Sequence, residues 1–292
     1  MYIQHNSKEF VFMNNEYQQM LNNARRGKYI LGAFNVFNHI SAKAVVKAAE
    51  ELDSPVIIEM STSVVKKLGI RNAISLLNTV KEEAKIPIII HLDHCVDLDI
   101  ALECIDNGWS SIMFDGSGLS LEENIKRTKQ IVAHAKKYNV HVEGEVGDIK
   151  GTEDDIHSDV SLLANFEDTM HFIEQTGVNT IAPAIGTAHG QYNGIPHINY
   201  ELIERLANES SCPVVIHGGT GLSKEAYERF IKCGAAKLNI STAIKQAYID
   251  AIIQFSKKEK VVYEPLKADE EILNAIKEVV KEHIMLFNQL KK

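Results

Sequence analysis

The chain alternates short apolar, β-branched segments with longer amphipathic ones, and this alternation limits its fold more than any other feature. β-type runs read at 30–36, 55–60, 87–93, 110–115, 140–146, 179–186, 213–217 and 236–240. Helical patterns fill the intervals at 41–52, 71–84, 98–107, 121–138, 167–176, 199–209, 223–233 and 242–257. The β-type runs carry little polar residue along their length. Ile88-Ile89-Ile90 is the plainest case, and such runs suit strands covered on both faces. Gly108, Gly177 and Gly234 stand where helices should stop. Pro55, Pro87 and Pro213 open strands, where a missing N–H is tolerated.

Eight strand–helix units without a composition break predict an α/β fold, a (β/α)8 TIM barrel, as a single domain over 1–292. A leading helix at Asn15–Lys28 and an extra C-terminal helix at Asp269–Leu290 flank it. An open doubly wound sheet is the alternative, but no G-x-G-x-x-G follows the first strand. With 45% hydrophobic residues, the chain can fill one large core. It has no apolar run of the roughly 18 residues that span a bilayer. Met1–Asn15 lacks a signal-peptide layout, so a cytoplasmic protein is expected. The net charge of −8 argues against nucleic-acid or anionic-membrane partners. Any phosphorylated ligand must then be held by local amides and dipoles. Cys95, Cys104, Cys212 and Cys233 show no metal-finger spacing and read as reduced, mostly buried thiols.

In such a barrel the chemistry sits at the carboxyl ends of the strands. There the chain places Asp93-His94, Asp115-Gly116-Ser117, Glu143 with Glu145, Gly186-Thr187-Ala188-His189-Gly190, His217-Gly218-Gly219-Thr220-Gly221 and Asn239-Ile240-Ser241-Thr242. Strict alternation puts His91 and Asp93 on one face of the third strand and His94 on the other, unless the strand ends there. His94, His189 and His217, on three strand ends, match a catalytic zinc site with one open position. For His5, His157 and His283 a surface role suffices. The glycine-rich turn at Gly218-Gly219-Thr220 and the helix start at Ser241-Thr242 suit a phosphate. The acidic segment 147–165 is too long for a tight turn and reads as a lid or a carrier of catalytic groups, against a plain solvated loop.

A divalent ion, a phosphate cradle and a carboxylate base point to carbanion chemistry on a phosphorylated sugar. The ion polarises a ketone and stabilises an enediolate while a carboxylate moves the proton. Composition and spacing reach a metal-assisted lyase or isomerase, with a metal-dependent hydrolase as the alternative.

The series His91-Leu92-Asp93-His94, Asp115-Gly116-Ser117, Val142-Glu143-Gly144-Glu145-Val146-Gly147, Gly151-Thr152-Glu153-Asp154, Gly186 to Gly190, His217 to Gly221 and Asn239 to Thr242 resembles the class II (zinc-dependent) ketose-bisphosphate aldolase family. That family includes the fructose- and tagatose-bisphosphate aldolases. The resemblance implies zinc on His94, His189 and His217, and Asp93 as the proton donor and acceptor at the aldehyde-derived hydroxyl. It implies Asp115 and Glu145 at a second or alternative divalent-metal position, and Glu153 as the loop acid that takes the proton from dihydroxyacetone phosphate. Gly190, Gly218, Gly219, Thr220, Asn239, Ile240, Ser241 and Thr242 match the dihydroxyacetone-phosphate site. The glycines also match a monovalent-cation site. The expected partner is a small phosphorylated sugar, and the expected assembly a homo-oligomer, dimer or tetramer. The C-terminal helix, with Ile276, Val279, Val280, His283 and Phe287 at helical spacing, docks on its own barrel or on a partner.

The chain departs from the family pattern in three places. Ser241 stands where the family often has Asp or Asn, and Lys150 replaces a common glycine. Glu264-Pro265-Leu266-Lys267-Ala268-Asp269 is acidic where many relatives are basic and help to hold a second phosphate. The aldehyde half therefore stays open: a fructose-type or tagatose-type bisphosphate, another phosphorylated ketose, or a keto-acid. Two rival readings remain. One is a Schiff-base aldolase, for which Lys237 shares a face with Asn239. The other is a barrel that binds a sugar phosphate without turning it over.

Overall fold

A computed structural model describes residues 7–153, 156–158, 162–192, 194–258 and 263–291. Its strands are β1 (Leu31–Asn35), β2 (Val56–Ser61), β3 (Ile88–Cys95), β4 (Ser111–Phe114), β5 (His141–Val146), β6 (Lys150–Glu153), β7 (Ile156–Ser158), β8 (Thr180–Pro183), β9 (Ala188–His189), β10 (Val214–Ile216) and β11 (Ala235–Ile240). Eight of them close into a barrel in the order β1-β11-β10-β8-β5-β4-β3-β2. Every pairing in the barrel is parallel, and every expected β-type run supplies one strand.

The helices are α1 (Ser7–Gly27), α2 (His39–Glu51), α3 (Thr62–Leu68), α4 (Ile70–Glu82), α5 (Leu98–Asp106), α6 (Leu121–Tyr138), α7 (Phe166–Thr176), α8 (Tyr200–Glu209), α9 (Lys224–Cys233), α10 (Thr242–Ser256) and α11 (Pro265–Phe287). Their starts follow local chemistry. Ser120, Asn165, Asn199 and Ser223 each cap a first turn with a side-chain oxygen. The final helix begins at Pro265 rather than at Asp269. Proline is pre-set for a first helical turn and gives up only an N–H that would have no partner there.

Two layers set the depth of the site. At the amino-terminal end of the barrel, Tyr17, Met20 and Leu21 of α1 pack on Leu31, Ala33, Ile57, Ile89 and Ala236, so the leading helix plugs that end. Burying each large side chain of this kind stabilises by about 1.5–3 kcal/mol. Above the plug lies a polar layer of Glu59, His91, Glu143 and Lys237, all buried. The α11 helix docks on its own barrel through Ile272, Ile276, Val280, Ile284 and Phe287. His283 is buried too, with Nδ1 2.8 Å from the Val279 carbonyl and its ring beside Tyr227 and Phe287. This corrects its expected surface role; its place on the α11 stripe puts it inside. His5 lies outside the described residues.

The long segment after β5 is not a plain loop. β6 and β7 form an antiparallel hairpin, and β6 also pairs in parallel with β9. The expected run 179–186 therefore ends as β8 at Pro183, and β9 follows as a separate short strand.

Candidate active site

Asp93 and His94 show how the third strand builds the site. β3 runs on to Cys95, but its register with β4 breaks between Leu92 and Cys95, and His94 adopts φ 46°. Strict alternation would have turned His94 away from Asp93. The bulge and the left-handed residue bring both into one cavity, with Asp93 Oδ1 and His94 Nε2 4.0 Å apart. Such a conformation costs a non-glycine residue on the order of 1–3 kcal/mol and is tolerated where the surroundings fix it.

The three histidines converge. Rings of His94 and His189 lie 4.8 Å apart, those of His94 and His217 4.6 Å, and those of His189 and His217 6.1 Å. One ring nitrogen from each lies within 4.8 Å of the others, and all three side chains are buried. His94 Nδ1 is 2.9 Å from Asp115 Oδ2 and 3.8 Å from Glu145 Oε2. His217 Nε2 is 3.0 Å from Glu143 Oε1. With hydrogens on those two nitrogens, the lone pairs of His94 Nε2 and His217 Nδ1 face each other across 2.9 Å. Such a contact is repulsive unless a proton or a metal cation lies between them. Burial lowers the affinity of His94 for a proton, but Asp93 and Asp115 together hold its pKa well above the ordinary value. The same negative field draws a cation. Carboxylates orienting metal-binding imidazoles are the usual outer layer of such centres, so this donor set fits a metal ion.

Asp115 and Glu145 form a second possible ligand group with His94. Asp115 Oδ1 accepts from the Ser117 amide and hydroxyl at 3.0 and 2.6 Å. Glu145 Oε2 is buried with no hydrogen-bond partner, and burial, then the Asp115 charge, pushes its pKa well up. A third group, Glu59 with His91 and Asp93, was not visible in the sequence. Lys237 Nζ already reaches into it, 3.5 Å from Glu59 Oε2. His91 Nδ1 is 2.7 Å from Ser111 Oγ, and burial drives its imidazole down to about 3, so it is neutral and structural.

Asn35 Nδ2 donates to Asp93 Oδ2 at 2.8 Å, and Asn239 Nδ2 donates to Oδ1 at 3.2 Å. Burial favours the neutral acid, but His94, His217 and Lys237 hold Asp93 well below the usual carboxylate range. Lys237 faces inward, as its position on β11 predicted. Its Nζ lies 3.0 and 3.3 Å from the two oxygens of Glu143. Burial opposes its charge, yet Glu143 and Glu59 hold the ammonium well above its ordinary pKa. A lysine locked as a cation is no nucleophile, which counts against imine chemistry. Asn35, Glu59 and the role of Glu143 were missed. The available signal was a polar side chain next to apolar residues in each strand: Asn35 at the end of β1, Glu59 within β2 and Glu143 within β5.

Beside the histidines, a cleft is lined by His189, Gly190, Gly218, Gly219, Thr220, Asn239, Ser241 and Thr242. Ile240 is absent from that lining because its side chain is buried in the core outside the barrel. Ser241 occupies the N-cap of α10 without capping it, and its buried Oγ has no partner. The start of a helix, with an idle hydroxyl beside it, suits an anion. Thr187, expected among the loop motifs, is buried with its Oγ1 also without a partner. Glu153 ends β6, and its side chain lies outside the described residues.

Comparison with known proteins then decides the family. The family model described as fructose-bisphosphate aldolase class-II matches residues 15–292. The chain belongs to this family. It is a class II aldolase, a carbon–carbon lyase of a generally metal-dependent group. A fructose-bisphosphate aldolase of Geobacillus stearothermophilus is 35% identical over 253 residues, covering 86% of this chain and 88% of that one. A sulfofructosephosphate aldolase of Alkalicoccus urumqiensis is 34% identical, covering 94% and 96%. The crystal structure of a putative fructose-1,6-biphosphate aldolase from Coccidioides immitis superposes with a TM-score of 0.85 at 28% identity, over 92% of this chain and 95% of that one.

Proposed function

We propose that this class II aldolase is zinc-dependent and cleaves a ketose 1,6-bisphosphate of the fructose or tagatose type to dihydroxyacetone phosphate and an aldehyde. The observation that carries the reading is the meeting of three imidazoles beside Asp93, next to a cleft that ends at the idle Ser241 hydroxyl. When bound by His94, His189 and His217, zinc supplies Lewis-acid stabilisation of the enediolate charge that develops as the C–C bond breaks. Asp93, aimed by Asn35 and Asn239, moves the proton at the aldehyde-derived hydroxyl. Glu153 moves the proton on dihydroxyacetone phosphate. Gly190, Gly218, Gly219, Thr220, Asn239, Ser241 and Thr242 hold that product's phosphate, with Ile240 contributing only backbone. The glycine carbonyls of the same turns suit a monovalent cation, and Asp115 with Glu145 a second divalent ion.

A panel of fructose and tagatose bisphosphates, assayed with zinc present and after chelation, tests this reading. Cleavage that survives thorough chelation would remove it. A second reading, a ketose bearing one phosphate and another acidic group, is favoured by the likeness to a sulfofructosephosphate aldolase and by the changed segment Glu264–Asp269. The same panel extended to such substrates separates the two.

The working form in this proposal is a cytoplasmic homo-oligomer, dimer or tetramer. No helix among the described residues is long and apolar enough to cross a membrane. A second copy of the chain is the occupant assigned to α10, whose Ile249, Ile252 and Ile253 are exposed together. Sedimentation of the wild type against Ile253→Asp tests that part.

A further inference from the structure

We propose that Tyr192 is a positioning residue: its hydroxyl fastens the strand carrying His189 to the Gly218 turn, so that the phosphate cradle is built before substrate arrives. The inference rests on the reading that this cleft holds a phosphate.

Tyr192 belongs to none of the strand-end motifs, and it is not itself among the residues that line the cleft. Its half-buried hydroxyl bridges two backbone segments. It accepts from the Ala188 amide at 3.0 Å and donates to the Gly218 carbonyl at 2.6 Å. One phenolic group thereby uses its donor and one lone pair, each on the backbone of a different segment.

The need for such a tie follows from β9. It is two residues long, and its ladder partner is β6, through Lys150 opposite Ala188 and Gly151 opposite His189. It pairs with no barrel strand among the described residues, so the ladder alone does not fix His189 to the barrel. Packing supplies part of the answer. A Cβ on Gly218 would lie 2.5 Å from the Ala188 carbonyl oxygen, and one on Gly151 would lie 2.2 Å from the His189 carbonyl oxygen. Gly218 also sits at φ 69°, where side chains are disfavoured. The backbone of β9 is therefore held between two glycines that approach it closely, with the Tyr192 hydroxyl across one side of the stack.

Directly after Gly218 come Gly219 and Thr220. The Thr220 hydroxyl accepts from the Ala243 amide at 3.3 Å, which joins the turn to the start of α10. Tyr192 thus ends a chain of contacts running from the Ala188–His189 strand through Gly218 to the helix start behind Ser241. Anion recognition by backbone N–H groups depends on their spacing, and a small drift of one wall weakens it.

The test is Tyr192→Phe, which keeps the ring and removes the tie. Four quantities are measured: zinc content, melting temperature, the dissociation constant of inorganic phosphate, and kcat and KM with fructose 1,6-bisphosphate. Phosphate binding is read well below the melting temperature, so that loss of stability does not stand in for loss of binding. Gln191→Ala, an exposed neighbour, is the control. The expected result is zinc retained at the wild-type level, with phosphate Kd and KM both raised about 10-fold, as for the loss of two hydrogen bonds that fix the wall. In the same variant kcat should move far less than KM. An unchanged phosphate Kd in the variant overturns the proposal, as does loss of zinc with phosphate binding intact, since Tyr192 would then serve His189 alone. A wild type that binds no phosphate overturns it as well. A wild type that binds phosphate but cleaves no ketose phosphate refutes the functional reading instead, and the ratio of phosphate constants still decides the role of Tyr192.

Discussion

Asp93 and His94 are neighbours in the chain yet face the same cavity, their Oδ1 and Nε2 atoms 4.0 Å apart. In the proposed mechanism this puts the carboxylate that would transfer the proton beside an imidazole that would bind the metal, without making either do both tasks. Asp93→Ala should therefore keep zinc, because His94, His189 and His217 are untouched. It should lose C–C cleavage by about 10²–10⁴-fold, the usual contribution of a positioned acid–base group. Metal analysis beside steady-state kinetics checks this; a variant that cleaves normally would show that the proton is moved elsewhere.

His189 differs, because it stands on the two-residue β9 rather than on a barrel strand. His189→Ala should lose metal and activity together, leaving the barrel folded. Metal content, activity and far-ultraviolet circular dichroism on the same preparation check the three parts. A variant that keeps stoichiometric zinc would take His189 out of the ligand set.

The barrel and the histidine set were legible in the sequence for one physical reason. Parallel strands covered on both faces must be apolar, so a His or Asp at a strand end stands out against Ile and Val. The layer beneath was not legible. Glu59, Glu143 and Lys237 lie inside β2, β5 and β11, and only closure of the barrel brings them together. The bulge at His94 was hidden because alternation assumes an unbroken register. β9 was not read as a strand: the expected run stopped at 186, and two residues carry too little pattern to declare one. Tyr192 was missed because its partners are backbone atoms, which no side-chain motif encodes.

A pH effect should appear far from the site. Glu51 holds the C-terminal helix to α2 through Lys277 and Lys281, each 2.8 Å away. The hydrogen bonds from Lys277 and then Lys281 lower its carboxyl to about 2. A carboxyl lowered on folding lends stability above its unfolded value near 4.5, and that stability is lost as pH falls toward about 2. Glu51→Gln should then melt slightly below the wild type at pH 7, and the gap should close by pH 2. A constant gap across the titration would mean that the pair contributes by packing rather than by charge.

The buried Lys237 separates the two aldolase chemistries most sharply. Its ammonium lies between Glu143 and Glu59, and Glu143 in turn accepts from His217 Nε2, which turns Nδ1 toward His94 Nε2 and the proposed metal position. Borohydride added with dihydroxyacetone phosphate should leave the wild type active and unmodified by mass spectrometry; an adduct on Lys237 would overturn the metal reading. Lys237→Met leaves two buried carboxylates without their shared cation and should cost about 3–5 kcal/mol of stability. Glu143→Gln is the milder probe. It keeps a hydrogen-bond acceptor for His217 but removes the charge that raises the basicity of the ring. Zinc affinity, read by chelator competition, should fall about 10–100-fold, as for other carboxylates behind metal-bound histidines. Unchanged affinity would mean that geometry alone, without the carboxylate charge, sets the pull of His217 on the ion.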